Sequence, residues 1–246
     1  MTFDRRALKL RAKETIKNSK PSVITVGLVY LLLGIIINML SARLMGLNIS
    51  QSEITSYMNY AMEGNYEAAV DLMSKMTPPG GAHVIDLLLT ILRTVVQAGF
   101  IIFLLNTIRA AEPCMGNLLD GFGFFWKIIL LNFLMALFTI LWSMLLFFPG
   151  IIALYRYSQA IYILVDDPTK SPMQCLRESS AMMRGHKMEL FSLQMSFFGW
   201  YLLAFLPTLG YAVQVWSVPY ISMSYALYYE HLAYGDKQYE DPVYSY

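Results

Sequence analysis

Charge is what this sequence has least of. Asp, Glu, Lys and Arg together make up 14% of its 246 residues, against about 25% in an ordinary soluble domain. Too little polar surface is available to cover a water-soluble globule. The net charge is only +1, which argues against a general nucleic-acid binder. Cysteine is scarce too. Cys114 and Cys175 offer no disulfide framework and are read as reduced and structural, and His83, His186 and His231 stand isolated with no metal-ligand spacing. No Walker loop, G-x-G-x-x-G, H-E-x-x-H or G-x-S-x-G occurs. These absences weaken the case for an enzyme without closing it, and no cofactor is implied.

What is present is apolar: 57% hydrophobic residues and a mean hydropathy of +0.48. Three runs carry no charge at all, 21–42, 128–155 and 190–229, of 22, 28 and 40 residues. About 20 apolar residues in a helix cross a hydrocarbon core, where backbone groups must pair within their own segment. The short alternating strands of a membrane barrel are missing. The sequence therefore predicts an all-α, polytopic membrane bundle. The first run is too long for a cleaved signal core and lacks a small-residue cleavage site, so it is read as a retained span.

Six transmembrane helices follow, at about 22–43, 84–108, 122–148, 151–165, 190–206 and 211–232, with Leu206-Pro207-Thr208-Leu209-Gly210 dividing the longest run. Pro149-Gly150 punctuates the third and fourth as a turn or a kink. Residues 1–20 hold seven Lys/Arg against two acids, with Leu8, Ala12 and Ile16 as an apolar stripe. That pattern suits a helix on an anionic inner leaflet, or a plain cytoplasmic anchor. The 44–83 segment is the one sizeable outer loop. Ile54, Met58, Ala61 and Met62 suggest one short helix and Ala69, Val70, Met73 and Met76 another, parted at Gly64-Asn65 and closed by Pro78-Pro79-Gly80-Gly81. In the cytoplasmic stretch 166–189, Ser171-Pro172 followed by Gln174 reads as a helix start and Gly185 as its stop. Met173, Leu176 and Met183 would be its greasy side. The tail, 233–246, is cytoplasmic. On this topology 14 Lys/Arg fall inside and two, Arg43 and Lys75, outside, as the positive-inside rule requires of an N-in/C-in chain.

The segments PGIIALYRYSQAIYILVDDP at 149–168 and ESSAMMRGHKMELFSLQMSFFGW at 178–200 resemble the DUF975 family of bacterial integral membrane proteins. The early RRALKLRAKETIK and late VPYISMSYALYYEHL are similar to that family's ends. Through PGI, DDP and RG there is a more distant likeness to membrane domains of glycerophosphodiester phosphodiesterases. The resemblance implies a multi-pass protein of the bacterial cytoplasmic membrane and brings no catalytic motif.

Ionisable groups within a bilayer are costly and mark function or a specific internal pair. Asp86, Thr90, Arg93 and Gln97 share one helical stripe, and Arg156, Gln159 and Tyr162 make a second polar face. Either these line a polar cleft for a lipid or an anionic solute, or the two arginines are satisfied internally or snorkel. Asp166 and Asp167 could hold a divalent cation or act as acid and base; ending one helix before Pro168 and capping the next explains them more cheaply. Ten tyrosines between 201 and 246 read as an interfacial belt or as a stacking site. Met173, Met182, Met183 and Met188 offer either an adaptable partner surface or lipid-facing packing. Three functions stay open: binding or moving a small solute or lipid, alone or as an accessory subunit beside a membrane partner; a lipid-acting membrane enzyme using Asp166, Asp167 or Asp86; and a non-catalytic scaffold.

Overall fold

The computed structural model describes residues 3–45, 51–75, 81–145, 147–204 and 210–235. Regular structure among them is helical throughout: α1 (Arg5–Asn18), α2 (Val23–Leu44), α3 (Gln51–Met62), α4 (Tyr66–Lys75), α5 (Ala82–Ile108), α6 (Asn117–Asp120), a 3-10 turn (Gly121–Phe124), α7 (Phe125–Leu145), α8 (Phe147–Tyr157), α9 (Ala160–Asp166), α10 (Pro172–Met182), α11 (Lys187–Met195), α12 (Phe198–Ala204) and α13 (Gly210–Tyr234). Three helical stretches, Val23–Leu44, Ala82–Ile108 and Asn117–Met144, are long and apolar enough to cross a membrane. Their surfaces agree. On α7, Trp126 is 71% exposed, Phe133 61% and Met144 80%, an apolar face suited to lipid contact and a liability in water.

The chain divides into two compact units, Leu32–Arg93 and Met1–Leu31 with Thr94–Tyr246. In the smaller unit α3 and α4 form a helical hairpin turning at Gly64, whose φ of +70° is left-handed and comfortable only without a Cβ. Asn65 caps α4, its Oδ1 accepting the Ala68 N–H at 3.2 Å. Both predicted helices and their break are present. Ala69 is buried, while Met58, Met62 and Val70 point outward. Met76 and Pro78-Pro79-Gly80 lie outside the described residues.

The larger unit is built on α13. Tyr220, Met223, Ala226, Leu227 and Tyr228 are buried there, and α1 runs antiparallel alongside. Lys13 sits 5.7 Å from the Tyr220 ring centroid and Phe3 packs edge-on to Tyr228 at 5.3 Å. Ala12 and Ile16 are buried, and Leu8 packs partly buried beside them. The apolar stripe of α1 thus faces protein and not lipid, because α13 offers it a ready-made apolar wall. This corrects the leaflet-facing expectation.

Helices α7 and α8 are antiparallel. Gly150 abuts Ser143, where a Cβ would sit 3.0 Å from Ser143 Cα, and the Phe138 and Tyr157 rings lie 6.3 Å apart. The reversal precedes Pro149-Gly150, which lies in the first turns of α8, where proline lacks only a donor that no helical carbonyl would meet. The third helix ends at Leu145, short of the predicted 148. The helical stretch predicted as the fourth span is correspondingly longer than predicted, beginning at Phe147, and it is split into α8 and α9. The predicted continuous helix at 190–206 is also divided, into α11 and α12, at Ser196–Phe197; Ser196 Oγ donates to the Leu193 carbonyl at 2.6 Å. Residues 205–209, with most of the Leu206–Gly210 divider, and 236–246 of the tail lie outside the described residues.

The start and stop predicted for α10 are realised. Ser171 Oγ accepts the Gln174 N–H at 3.2 Å, Pro172 opens the helix, and Gly185 has φ +86°. The Gln174 side chain does not return to the cap; it donates to Glu178 at 2.9 Å. The buried face is Pro172, Cys175, Leu176, Ser179, Ser180 and Met183, a clean helical stripe, whereas Met173 is 36% exposed. Small polar residues hid that stripe from hydropathy. They let α10 pack closely on its neighbours.

Candidate functional site

The break between α8 and α9 has a local cause. Ser158 Oγ donates back to the Tyr155 carbonyl at 2.8 Å, a serine habit that bends helices. The Gln159 N–H, which would otherwise bond that carbonyl, donates instead to Ser179 Oγ at 3.2 Å. Ser179 Oγ in turn donates to the Arg156 carbonyl at 2.9 Å. One buried hydroxyl on α10 therefore replaces part of the lost ladder, as a backbone in an apolar body requires.

Polar side chains collect at this break. Arg156 is half-buried and its Nε donates to Ser180 Oγ. Gln159 is 3% exposed and its Nε2 donates to Ser158 Oγ at 3.1 Å. Its Oε1 is fully buried with no hydrogen-bond partner, and such an orphan costs about 1–3 kcal/mol. The described partners of Arg156 are neutral, a hydroxyl and the Tyr157 ring. Its charge remains uncompensated by any ion pair among the described residues.

A second cluster joins three helix ends. Arg109, just past α5, bonds Asp166 Oδ1 at 2.5 Å through Nη1 and Glu230 Oε1 at 2.7 Å through Nε and Nη2. Tyr229 and Tyr234 donate to Asp166 Oδ2 at 2.8 and 2.5 Å. The Arg109 guanidinium also lies 5.2 Å from the Tyr234 ring centroid. Burial pushes the Asp166 carboxyl up, but the bonds from Arg109, Tyr234 and Tyr229 outweigh it and hold it below the usual carboxylate range. Burial and the bond to Asp166 push the Tyr234 hydroxyl up to about 12. Every partner is engaged, so the cluster works as a clamp. Nothing in the sequence near Arg109 pointed to Asp166, 57 residues on, or to Glu230, 121 residues on. The uncharged run that ends at Glu230 was the available signal.

Of the residues predicted for a cleft, the larger unit holds Gln97, Arg156, Gln159 and Tyr162, and the smaller holds Asp86, Thr90 and Arg93. Arg156 and Gln159 both sit at the break, each on its own partners. Tyr162 stacks on Tyr229 at 5.4 Å and so belongs to the clamp. Gln97 is exposed on α5. In the smaller unit Asp86 accepts from Ser41, and Arg93 Nη1 donates to Asn38 Oδ1 at 3.2 Å. Both bonds tie α5 to α2 and fit internal satisfaction. Thr90 is exposed. Asp167 accepts from the N–H and hydroxyl of Thr169 at 3.1 and 2.5 Å, the geometry of a turn after α9.

Comparison with curated proteins and with solved structures finds no match, and the glycerophosphodiester phosphodiesterase likeness gains no support. Residues 144–235 match the family model described as a protein of unknown function, DUF975. That segment carries the α8–α9 break, both serines that bridge it and the two carboxylates of the clamp, and over it the chain is similar to the DUF975 family.

Proposed function

We propose that this chain is a six-span protein of the bacterial cytoplasmic membrane with both ends in the cytoplasm, and that it binds an anionic small solute or lipid at the interrupted fourth span. The observation that carries the reading is the break itself. An arginine without an acid, a buried glutamine with an orphaned acceptor and two bridging serines converge on it. Interrupted helices inside membranes are tolerated where they are buried in protein or line a cavity, and they recur at solute sites. An anionic group carrying a hydroxyl or amine donor would answer both Arg156 and Gln159 Oε1. The clamp supports the topology. In a six-span chain that starts inside, α5, α9 and α13 all end on the cytoplasmic side, and Arg109 ties those three ends together. Binding is favoured over catalysis because Asp166 and Asp167 are committed to hydrogen bonds within the fold.

Native mass spectrometry of gently solubilised protein tests the site. A co-purified adduct is expected on the wild type and lost in Arg156→Leu and Gln159→Leu. Adduct-free wild-type protein, or retention by both variants, refutes it. Topology has its own test. Cys114 is exposed, whereas Cys175 is buried and its thiol is pushed up to about 11, chiefly by burial. A membrane-impermeant maleimide at neutral pH is expected to label one site, Cys114, in inverted vesicles and none in intact cells, because the thiolate is the reactive form. Labelling of intact cells that disappears in Cys114→Ser would reverse the orientation.

A further inference from the structure

Helix α1 turns its apolar stripe inward, and that leaves its basic face to be explained. Between α1 and the end of α11 runs an open groove of about 540 Å³. Arg5, Lys9 and Lys13 stand along its α1 wall at i, i+4 and i+8, hence on one face. Like charges at that spacing repel, and burial with Lys13 and Arg5 nearby pulls the Lys9 ammonium below its usual pKa. Their described partners are neutral. Arg5 donates to Ser192 Oγ at 2.9 Å, Lys9 to the Ser196 carbonyl and hydroxyl at 3.3 and 3.2 Å, and Lys13 lies over Tyr220. None of the ion pairs among the described residues uses these three cations. The neighbouring groove at the start of α1 differs, since Asp4 and Glu189 line it beside Arg5 and Arg6. Exposed Leu10, at 61%, and Met195, at 48%, flank the acid-free groove. Chain continuity keeps it near the membrane: α1 ends at Asn18, and Val23 begins the first helix long and apolar enough to cross one.

Cations without counter-ions, apolar rims and a place close in sequence to the first apolar helix together match one ligand chemistry, a phosphodiester headgroup with acyl chains beside it. We infer that the α1–α11 groove is a binding site for an anionic glycerophospholipid of the leaflet into which α2 inserts. It is separate from the α8–α9 break and does not depend on that site. The phosphate would lie among Arg5, Lys9 and Lys13, and the acyl chains would run past Leu10 and Met195.

The test is native mass spectrometry of the full chain in detergent with phosphatidylglycerol and phosphatidylcholine added at equal concentration. Phosphatidylglycerol adducts are expected to exceed phosphatidylcholine adducts by about tenfold on the wild type and to fall to the phosphatidylcholine level in Arg5→Gln/Lys9→Gln/Lys13→Gln. Lys13→Gln alone, at an exposed position, is expected to lose about threefold with an unchanged melting curve, which keeps the reading testable if the triple variant folds poorly. Equal adducts of the two lipids on the wild type overturn the site. So does an equal loss in Lys17→Gln/Lys20→Gln/Arg184→Gln, which removes the same charge elsewhere. Displacement of phosphatidylglycerol by millimolar inorganic phosphate would overturn the lipid in favour of a soluble anion.

Discussion

Arg109→Leu is expected to lower the unfolding free energy by about 3 kcal/mol, read as a fall in apparent melting temperature in detergent micelles. Glu230 is 2% exposed and Asp166 14%, and this guanidinium is the one that hydrogen-bonds both. Removing it leaves Glu230 a buried carboxylate with only the weaker field of Arg11, so it must stay charged at a cost or take up a proton. Asp166 is less affected, because Tyr229 and Tyr234 still donate to it. The expectation sits at the low end of the range for broken buried pairs because Arg109 itself keeps 26% exposure. A compensating change distinguishes the clamp from simple loss of packing. Arg109→Leu/Glu230→Leu is expected to recover at least half of the lost stability, since no unpaired charge is then left inside. An Arg109→Leu protein that melts with the wild type would remove the clamp from the account of the fold.

Gly99→Ala is expected to destabilise by about 1–3 kcal/mol, although alanine in a helix interior ordinarily gains about 1 kcal/mol over glycine. The sign is the informative part. A methyl at Gly99 would run into the Leu118 carbonyl and come within 2.8 Å of the Asn117 carbonyl oxygen. Those are backbone atoms of α6 that cannot rotate aside. Gly121 makes the reciprocal approach, its Cβ position 3.2 Å from the Gly99 nitrogen. Two glycines thus let α5 and the α6 turn touch backbone to backbone. Gly34 in α2 is the internal control, with open space where its Cβ would be, and Gly34→Ala is expected to raise the melting temperature. Opposite shifts at the two sites would confirm that contact, and not propensity, decides at Gly99. A stabilised Gly99→Ala protein would refute the close approach.

Helices were legible because lipid and backbone chemistry leave few options for uncharged runs as long as 21–42 or 128–155. The start and stop of α10 were legible because Ser171, Pro172 and Gly185 act locally. What stayed hidden depended on distance. Arg109, Asp166 and Glu230 look like ordinary residues at helix ends until three ends converge. The 151–165 segment read as one short helix because Ser158 and Gln159 do not stand out among polar residues; only the bridge from Ser179 makes them a break. For α1, the periodicity of Leu8, Ala12 and Ile16 was correct, and of its two readings the leaflet-facing one was not. An apolar stripe states that something covers it, without saying whether that is lipid or protein.

The interruption also decides where the α8–α9 pair can flex. The clamp holds the far end of α9 against α5 and α13, and α8 folds back along α7. Between two anchored rods, a bend at Ser158–Gln159 strains the bonds of the Ser179 hydroxyl, whereas a bend elsewhere would open successive rungs of a regular helix. The cheapest hinge in this helix pair therefore lies beside the charged side chain of Arg156, so anything gripping that guanidinium would also stiffen or redirect the joint.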